Sequence, residues 1–162
     1  MKTGDSMRTL SKKTQYSLRA LYALTRQFGK GPVLISKLSR EEKIPQQFLE
    51  QILLNLKQHG LVESKKGKGG GYNLSQAPSN ITIGSVIRSI EGPLAPLPCA
   101  SETAYRKCDE CVDDRYCGTK LIMREVRDAT AGILDNVTLE QICRKVDEAR
   151  AAAEPAELMY HI

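Results

Sequence analysis

The stretch FLEQILLNLKQHGLVESKKGKGGGYNLS, from Phe48 to Ser75, joins an amphipathic helix to a glycine-rich basic hairpin. In its first half, apolar residues recur at the spacing of one helix face, at Leu49, Ile52, Leu53 and Leu56. Gly60 stands where helices commonly end, and His59 beside it is placed to bond the last carbonyls of the helix. In its second half, short apolar segments flank a turn of lysine and glycine, which predicts two strands.

Upstream of this stretch, the sequence predicts two more helices. One covers residues 14–28, and a short one covers residues 36–43 and is broken by Ile44-Pro45, because the residue before proline avoids the helical region. Pro45 then opens the helix that carries Gln47, Gln51 and Gln58 opposite its apolar face. Two helices joined by a tight turn, the second with an amide-rich face, are typical of a helix-turn-helix, with simple packing of a helix pair as the alternative.

The hairpin that follows has the position of a wing. Its lysines, Lys65, Lys66 and Lys68, would supply phosphate or minor-groove contacts. A nucleotide-binding phosphate loop would need a helix directly after the glycines and a closing Lys-Ser or Lys-Thr pair. Tyr72, Asn73 and Leu74 follow instead, so a DNA-binding wing is favoured, and a solvated basic turn remains the alternative.

Downstream, Thr82 is placed to cap a short helix that ends near Ile90, and Thr138 with Gln141 forms a capping box for a terminal helix. Between them, from Lys120, an apolar stripe close to a heptad repeat predicts a long helix: Ile122, Val126, Ala129 and Ile133. That stripe would be buried either in a dimer or within the monomer. In both cases the fold class is mainly α with a small β-hairpin wing.

Four of the five cysteines lie in one polar segment, at Cys99, Cys108, Cys111 and Cys117. The chain has neither a signal peptide nor a run of about 18 apolar residues, which predicts a cytoplasmic protein without a membrane span. Cytosolic thiols are kept reduced, so these cysteines favour a metal centre or redox chemistry over static disulfides. Cys143 lies on the apolar face of the terminal helix and is predicted to be a core residue.

The run from Phe48 to Ser75, followed by ITIGSVIRSIEG, a cysteine loop and DNVTLEQI, resembles bacterial winged-helix transcriptional regulators of the IscR, NsrR and CymR type. The resemblance extends from Met7 to Val146. It implies a homodimer that binds a palindromic operator in double-stranded DNA and senses a signal through the cysteine loop. The sequence shows no Ser-His-Asp or paired-carboxylate set, which predicts that the chain is not an enzyme.

The same resemblance assigns roles to individual residues. Gln47, Glu50 and Gln51 match the base-reading positions of the recognition helix, and Lys66 matches the wing position that enters the minor groove. Lys12 and Lys13 would be phosphate anchors. Glutamine can pair with adenine and glutamate can accept from cytosine, so the chemistry suits a major-groove reader.

The cysteine pattern departs from the pattern of these regulators, whose three cysteines are separated by five residues each. Cys99, Cys108 and Cys117 are separated by eight residues each, and Cys111 is additional. Lys120 stands where some relatives have a histidine ligand, and Gln15 stands where another has an aspartate, so Cys111 is the candidate fourth ligand. A [2Fe-2S] or [4Fe-4S] cluster, structural zinc on the same four sulfurs, and metal-free redox thiols remain open.

These observations predict a regulator whose operator affinity depends on a cluster or on the thiol redox state of the loop. A dithiol redox protein that uses Cys108 and Cys111 is one alternative, and a regulator that acts through a partner enzyme is another. The predicted organisation is residues 1–6 as a leader or tag remnant, 7–92 as the DNA-binding domain, 93–118 as the cysteine-rich sensor loop, 119–150 as the dimerisation and terminal helices, and 151–162 as a tail.

Overall fold

Six helices and one two-stranded antiparallel sheet form the part of the chain that the computed structural model describes, residues 10–158. The predicted leader, residues 1–6, lies outside the described residues. The elements are α1 Lys12–Arg26, α2 Ile35–Glu42, α3 Gln46–Gln58, β1 Val62–Lys65, β2 Gly71–Leu74, α4 Ile83–Glu91, α5 Gly118–Leu134 and α6 Leu139–Leu158. This architecture confirms the prediction of a mainly helical protein with a hairpin wing.

Helices α2 and α3 form the helix-turn-helix. Lys43 adopts the left-handed conformation after α2, and Pro45 begins α3 with its fixed φ. The apolar face of α3 is fully buried, at Leu49, Ile52, Leu53 and Leu56. Nδ1 of His59 lies 2.8 Å from the Asn55 carbonyl oxygen, which confirms the predicted capping contact. Gly60 then leaves the helix with φ of +69°.

The wing is the hairpin of β1 and β2, in which Val62 pairs with Leu74 and Lys65 pairs with Gly71. Tyr72 also exchanges two backbone hydrogen bonds of 2.9 Å with Val33, in the segment between α1 and α2. Gly71 has φ of +145°, and a Cβ atom there would collide with the Val33 carbonyl. Only glycine therefore lets the wing pair with this segment.

The N-termini of α4 and α6 lie side by side and are capped as predicted. Thr82 Oγ1 accepts from the Ser85 N–H, and Thr138 and Gln141 exchange the two hydrogen bonds of a capping box. Ile83 N–H donates to the Val137 carbonyl at 2.8 Å, and Leu139 N–H donates to the Ile81 carbonyl at 2.9 Å. These bonds attach the terminal helix to the winged-helix unit.

Arg88 of α4 and Asp135 at the end of α5 form a bidentate ion pair, with N–O distances of 2.5 and 2.8 Å. The hydrogen bonds from Arg88 hold the pKa of Asp135 below its usual range. A Cβ atom on Gly84 would collide with the Asp135 carboxylate. The glycine therefore gives this ion pair the space that it needs.

Gly84→Ala is expected to destabilise the fold by about 1–3 kcal/mol, because the added methyl group must displace the Asp135 carboxylate from Arg88. Thermal unfolding of the variant measures the effect. In a double-mutant cycle with Asp135→Ala, most of the cost of Gly84→Ala should disappear, because the colliding carboxylate is absent. An unchanged cost in the Asp135→Ala background would contradict this explanation.

The C-terminal region differs from its prediction in extent. Helix α6 continues past Arg150, where a tail was predicted, and runs to Leu158. Alanine has the highest helix propensity of any residue type, so Ala151, Ala152 and Ala153 favour continuation of the helix past Arg150. Cys143 is 6% exposed and is confirmed as a core residue.

The apolar stripe of α5 is exposed rather than buried within the monomer. Ile122, Val126 and Ile133 expose 49%, 40% and 66% of their surface, and Ala129 is also exposed. Burial of the stripe within the monomer, one of the two predicted alternatives, is therefore wrong. Within residues 10–158, no helix combines the length and apolar character needed to cross a membrane.

Candidate functional site

The predicted DNA-binding side chains lie on α3, on the wing and at the start of α1. Gln47, Glu50 and Gln51 are exposed on α3, opposite its buried apolar face. Lys12 is exposed and Lys13 is half-buried in the first turn of α1. The three wing lysines are all exposed: Lys65, Lys66 and Lys68. Each predicted residue is therefore accessible to a partner at the surface.

Two contacts that the sequence analysis missed hold these elements together. Lys57 Nζ donates to Ser64 Oγ at 2.6 Å, which joins the end of α3 to β1. Glu91, the last residue of α4, accepts from the Ser11 N–H at 2.9 Å and from the Thr14 hydroxyl at 2.5 Å. Helix α3 is thus fixed to the wing, and the start of α1 is fixed to the point where the cysteine loop, residues 93–118, begins.

The first cysteine lies in a structured turn. Cys99 belongs to the 3₁₀ turn Pro98–Ala100 and is 3% exposed. The chain then reverses, because Ser101 Oγ accepts from the Ala104 N–H at 3.0 Å and the Pro98 carbonyl accepts from the Arg106 N–H at 3.3 Å. This return brings Cys108 next to Cys99, and the distance between their sulfur atoms is 3.6 Å.

The other two cysteines of the loop also lie near Cys108. Cys111 N–H donates to the Cys108 carbonyl at 3.2 Å, and Cys117 is the residue that precedes α5. Cys108, Cys111 and Cys117 line one open cavity together with Val112 and Tyr116. Cys108 therefore connects two sets of sulfur atoms, and all four cysteines are free thiols.

The electrostatics of Cys108 reflect this crowding. Its hydrogen bond to Cys99 raises the pKa of Cys108 above the ordinary thiol value, and the neighbouring Cys111 and Cys117 raise it further. A metal ion bound to Cys108 would reverse this effect, because a coordinated thiol loses its proton.

The four cysteines of the loop are the candidate ligands of a metal centre. Among residues 10–158, no three His, Cys, Asp or Glu side chains are arranged to hold a metal ion. The Cys99–Cys108 distance still suits one tetrahedral metal, because two thiolates at about 2.3 Å from one ion lie about 3.8 Å apart. Thiolates are also the ligands of iron-sulfur clusters. The donor set therefore fits a cluster or zinc, provided that Cys111 and Cys117 approach this pair.

Lys120, near the start of α5, has partners within the cysteine loop. Its side chain is buried, and Nζ donates to Asp114 Oδ1 at 2.8 Å and to the Asp114 carbonyl at 3.1 Å. The Tyr105 hydroxyl donates to Asp114 Oδ2 at 2.7 Å, and Lys120 Nζ lies 5.2 Å from the Tyr105 ring centre. We call these three residues the lysine latch.

The latch keeps Lys120 charged. Its hydrogen bond to Asp114 raises the pKa of Lys120, and the bonds from Lys120 and Tyr105 lower the pKa of Asp114. A charged ammonium group has no lone pair for a metal. The prediction that Lys120 is not a ligand therefore has a structural reason, and its role here is to attach the cysteine loop to α5.

A second cation of α5 holds the other end of the loop. Arg127 Nη1 donates to the Ala100 carbonyl at 2.5 Å, and Nη2 lies 3.2 Å from Glu102 Oε1. Lys120 and Arg127 are two helix turns apart and so lie on the same side of α5. Sequence reasoning missed both roles, because arginine and lysine between apolar residues are typical of a solvated helix face.

Lys120→Met is expected to speed tryptic cleavage after Arg106 and Lys107 in metal-free protein by about three- to tenfold. The substitution removes the charge that holds Asp114 and Tyr105, so the loop opens more often, and cleavage follows the open population. Mass spectrometry of timed digests measures the rate. Arg124→Met, at an exposed position of the same helix, is the control. Equal cleavage rates in the two variants would contradict a latch.

Comparison with known proteins places this fold and loop in a family. The model of the Rrf2 family, described as iron-dependent transcriptional regulators, matches residues 10–145. The chain belongs to the Rrf2 family. An rrf2-like HTH-type transcriptional regulator of Rhodobacter capsulatus is 37% identical over 136 residues, covering 82% of this chain and 91% of the relative.

Two solved structures support the same assignment. CymR, the global cysteine regulator of B. subtilis, superposes with a TM-score of 0.70 at 30% identity and covers 86% of this chain and 98% of its own. T. potens IscR has a TM-score of 0.69 at 29% identity, covering 90% and 93%. The predicted family and winged-helix fold are confirmed. The Rrf2 relatives are transcriptional regulators, so the prediction of a non-enzymatic role is confirmed too.

Proposed function

We propose that this Rrf2 protein is a cytoplasmic, homodimeric regulator whose affinity for a palindromic operator depends on an iron-sulfur cluster in the cysteine loop. The observation that carries the proposal is the contact between the Cys99 and Cys108 sulfur atoms, 3.6 Å apart, next to a cavity that Cys108 lines together with Cys111 and Cys117. The family description as iron-dependent regulators supports iron as the metal. Cys99, Cys108, Cys111 and Cys117 would be its ligands, and the bound cluster would supply a redox-sensitive and oxygen-sensitive centre.

DNA recognition is assigned to the exposed side chains already described. Gln47, Glu50 and Gln51 on α3 would contact base edges, because an amide or carboxylate in the major groove can tell one base pair from another. Phosphates would be contacted at the start of α1 by Lys12 and Lys13, and by the wing at Lys65, Lys66 and Lys68. The wing lysines also suit a narrow minor groove.

Coupling between the loop and DNA is assigned to α5. Lys120 and Arg127 attach the loop to one side of this helix, and the exposed stripe on its other side suits a second copy of the chain. A conformational change of the loop would shift α5 and thereby change the distance between the two α3 helices of the dimer. A coupling free energy of about 1–3 kcal/mol would change operator affinity by roughly 5- to 150-fold.

Metal analysis of protein purified without oxygen tests this function. Iron and sulfide near stoichiometric, with a brown absorbance, are expected, and Cys111→Ala should lose them. Cys143→Ala is the matched control, because it removes a thiol from the core of α6 rather than from the loop. Iron retained in Cys111→Ala would exclude Cys111 as a ligand. Colourless protein after anaerobic reconstitution would exclude the cluster, and its zinc content would then decide between zinc and bare thiols.

Operator binding measured with the loaded and metal-free forms tests the sensing role separately. The operator is first selected from a random duplex library, and both forms are then titrated at one salt concentration. We expect their dissociation constants to differ by at least about fivefold. Equal affinities in both forms would exclude sensing through the loop, whatever metal the loop holds.

A further inference from the structure

Cys99 and Cys108 are held next to each other by the fold itself. The sulfur atoms lie 3.6 Å apart, and the Cys108 thiol donates a weak hydrogen bond to Cys99. A disulfide needs an S–S distance of about 2.0 Å, so the two sulfur atoms must approach each other by about 1.6 Å. This arrangement exists without any metal.

The proximity of these sulfurs follows from three contacts around them. The Pro98 carbonyl accepts from both the Ser101 and the Arg106 N–H groups, at 3.2 and 3.3 Å, which closes the turn that returns the chain. Arg127 donates from α5 to the Ala100 carbonyl and so holds the residue next to Cys99. Cys99 is thereby fixed. Cys108, two residues after Arg106, lies beside it.

The two sulfurs differ in accessibility. Cys108 is exposed, whereas Cys99 is 3% exposed. A dissolved oxidant therefore reaches Cys108 first. Cys99 is shielded from the oxidant but is within reach of Cys108, which is the arrangement of an attacking and a resolving cysteine.

We propose that the metal-free loop is a thiol switch in which a small-molecule disulfide oxidises Cys99 and Cys108 to one intrachain disulfide. The Cys108 thiolate attacks one sulfur of the small disulfide, whose S–S bond breaks and releases one thiol. The Cys99 thiolate then attacks Cys108 Sγ of the mixed disulfide and releases the second thiol. The two loop protons end on the two released thiols, and two electrons pass from the loop to the oxidant.

The alternative partner for Cys108 is Cys111, three residues later. Both line the same cavity, and a turn with the 3.2 Å bond from Cys111 N–H to the Cys108 carbonyl joins them. Cys99 is favoured, because its sulfur already contacts Cys108. One consequence rests on the proposed function: the Cys99–Cys108 bridge removes two of the four ligands and blocks cluster assembly until it is reduced.

Peptide mapping of the full chain tests the bridge directly. Metal-free protein is incubated with glutathione disulfide, alkylated and digested with trypsin. Cleavage after Arg88, Arg106, Lys107 and Arg115 separates Cys99, in residues 89–106, from Cys108 and Cys111, in residues 108–115. A Cys99–Cys108 bridge therefore appears as two linked peptides, whereas a Cys108–Cys111 bridge appears as a loop within one peptide.

The linked pair 89–106 with 108–115 is the expected main product. Cys111→Ser should form it at a rate within about twofold of the unsubstituted chain, and Cys99→Ser should leave Cys108 as a stable mixed disulfide with glutathione. A dominant loop within residues 108–115, or no intrachain bridge at all, would overturn the proposal. Because iron plays no part in this assay, the switch and the cluster can fail independently.

Discussion

Ile122→Glu with Val126→Glu is expected to separate the chain into monomers and to weaken operator binding by about 10²-fold or more. Both side chains are among the exposed apolar residues of α5, at 49% and 40% exposure. Burial of such a side chain contributes roughly 1.5–3 kcal/mol, and a two-fold interface buries each of them twice. Charged glutamates at these positions would have to be desolvated instead.

The loss of DNA binding follows from the loss of the link between half-sites. In a dimer, the second recognition helix binds at a high effective concentration once the first is in place, whereas a monomer binds each half-site alone. Analytical ultracentrifugation gives the association state, and titration of the selected operator gives the affinity. Circular dichroism of both proteins verifies that the helices remain folded.

Arg124→Glu is the matched control for this prediction. It places the same glutamate on α5 at an exposed position near the side of Lys120, away from the stripe. Dimerisation and operator affinity should stay close to those of the unsubstituted chain. A double variant that remains dimeric and binds the operator normally would place the dimer interface elsewhere.

Local chemistry made much of the fold predictable. Pro45, Gly60 and the threonine caps at Thr82 and Thr138 act through their own backbone or through neighbours three residues away, so the helix ends could be found without knowing the tertiary structure. The wing was predictable for the same reason, because glycine and lysine between two apolar segments specify a turn. The extension of α6 was not predictable in this way, because an alanine-rich chain end that contains a proline, Pro155, is typical of a frayed tail.

The candidate site was only partly predictable, because its geometry depends on contacts distant in sequence. The pairing of Cys99 with Cys108 depends on a chain reversal and on Arg127, which lies 27 residues from Ala100. Likewise, lysine is usually a surface residue, and Lys120 is buried only because Tyr105 and Asp114 contact it in the lysine latch. Spacing therefore identified the ligand candidates but could not predict which sulfurs meet.

Replacing Lys65, Lys66 and Lys68 together by alanine is expected to weaken binding to every duplex, specific or not, and to reduce its salt dependence. Each lysine that neutralises a phosphate contributes about 1 to the slope of log affinity against log salt, so the slope should fall by about 3 in magnitude. Titrations from low to high salt, with the selected operator and an unrelated duplex, measure both slopes. The side chains are exposed, so the fold should be unaffected.

Two further variants separate wing contacts from other causes. Lys145→Ala removes an exposed lysine of α6 and should leave the slope unchanged. Gln51→Ala on α3 should cost about 1–3 kcal/mol on the operator, relax the preference at one base pair and preserve the slope. The opposite pattern, in which the wing variant loses specificity with its slope intact, would mean that the lysines contact bases. Because phosphate contacts position a protein and base contacts specify its sequence, these two signatures assign the reading role to α3 or to the wing without a structure of the complex.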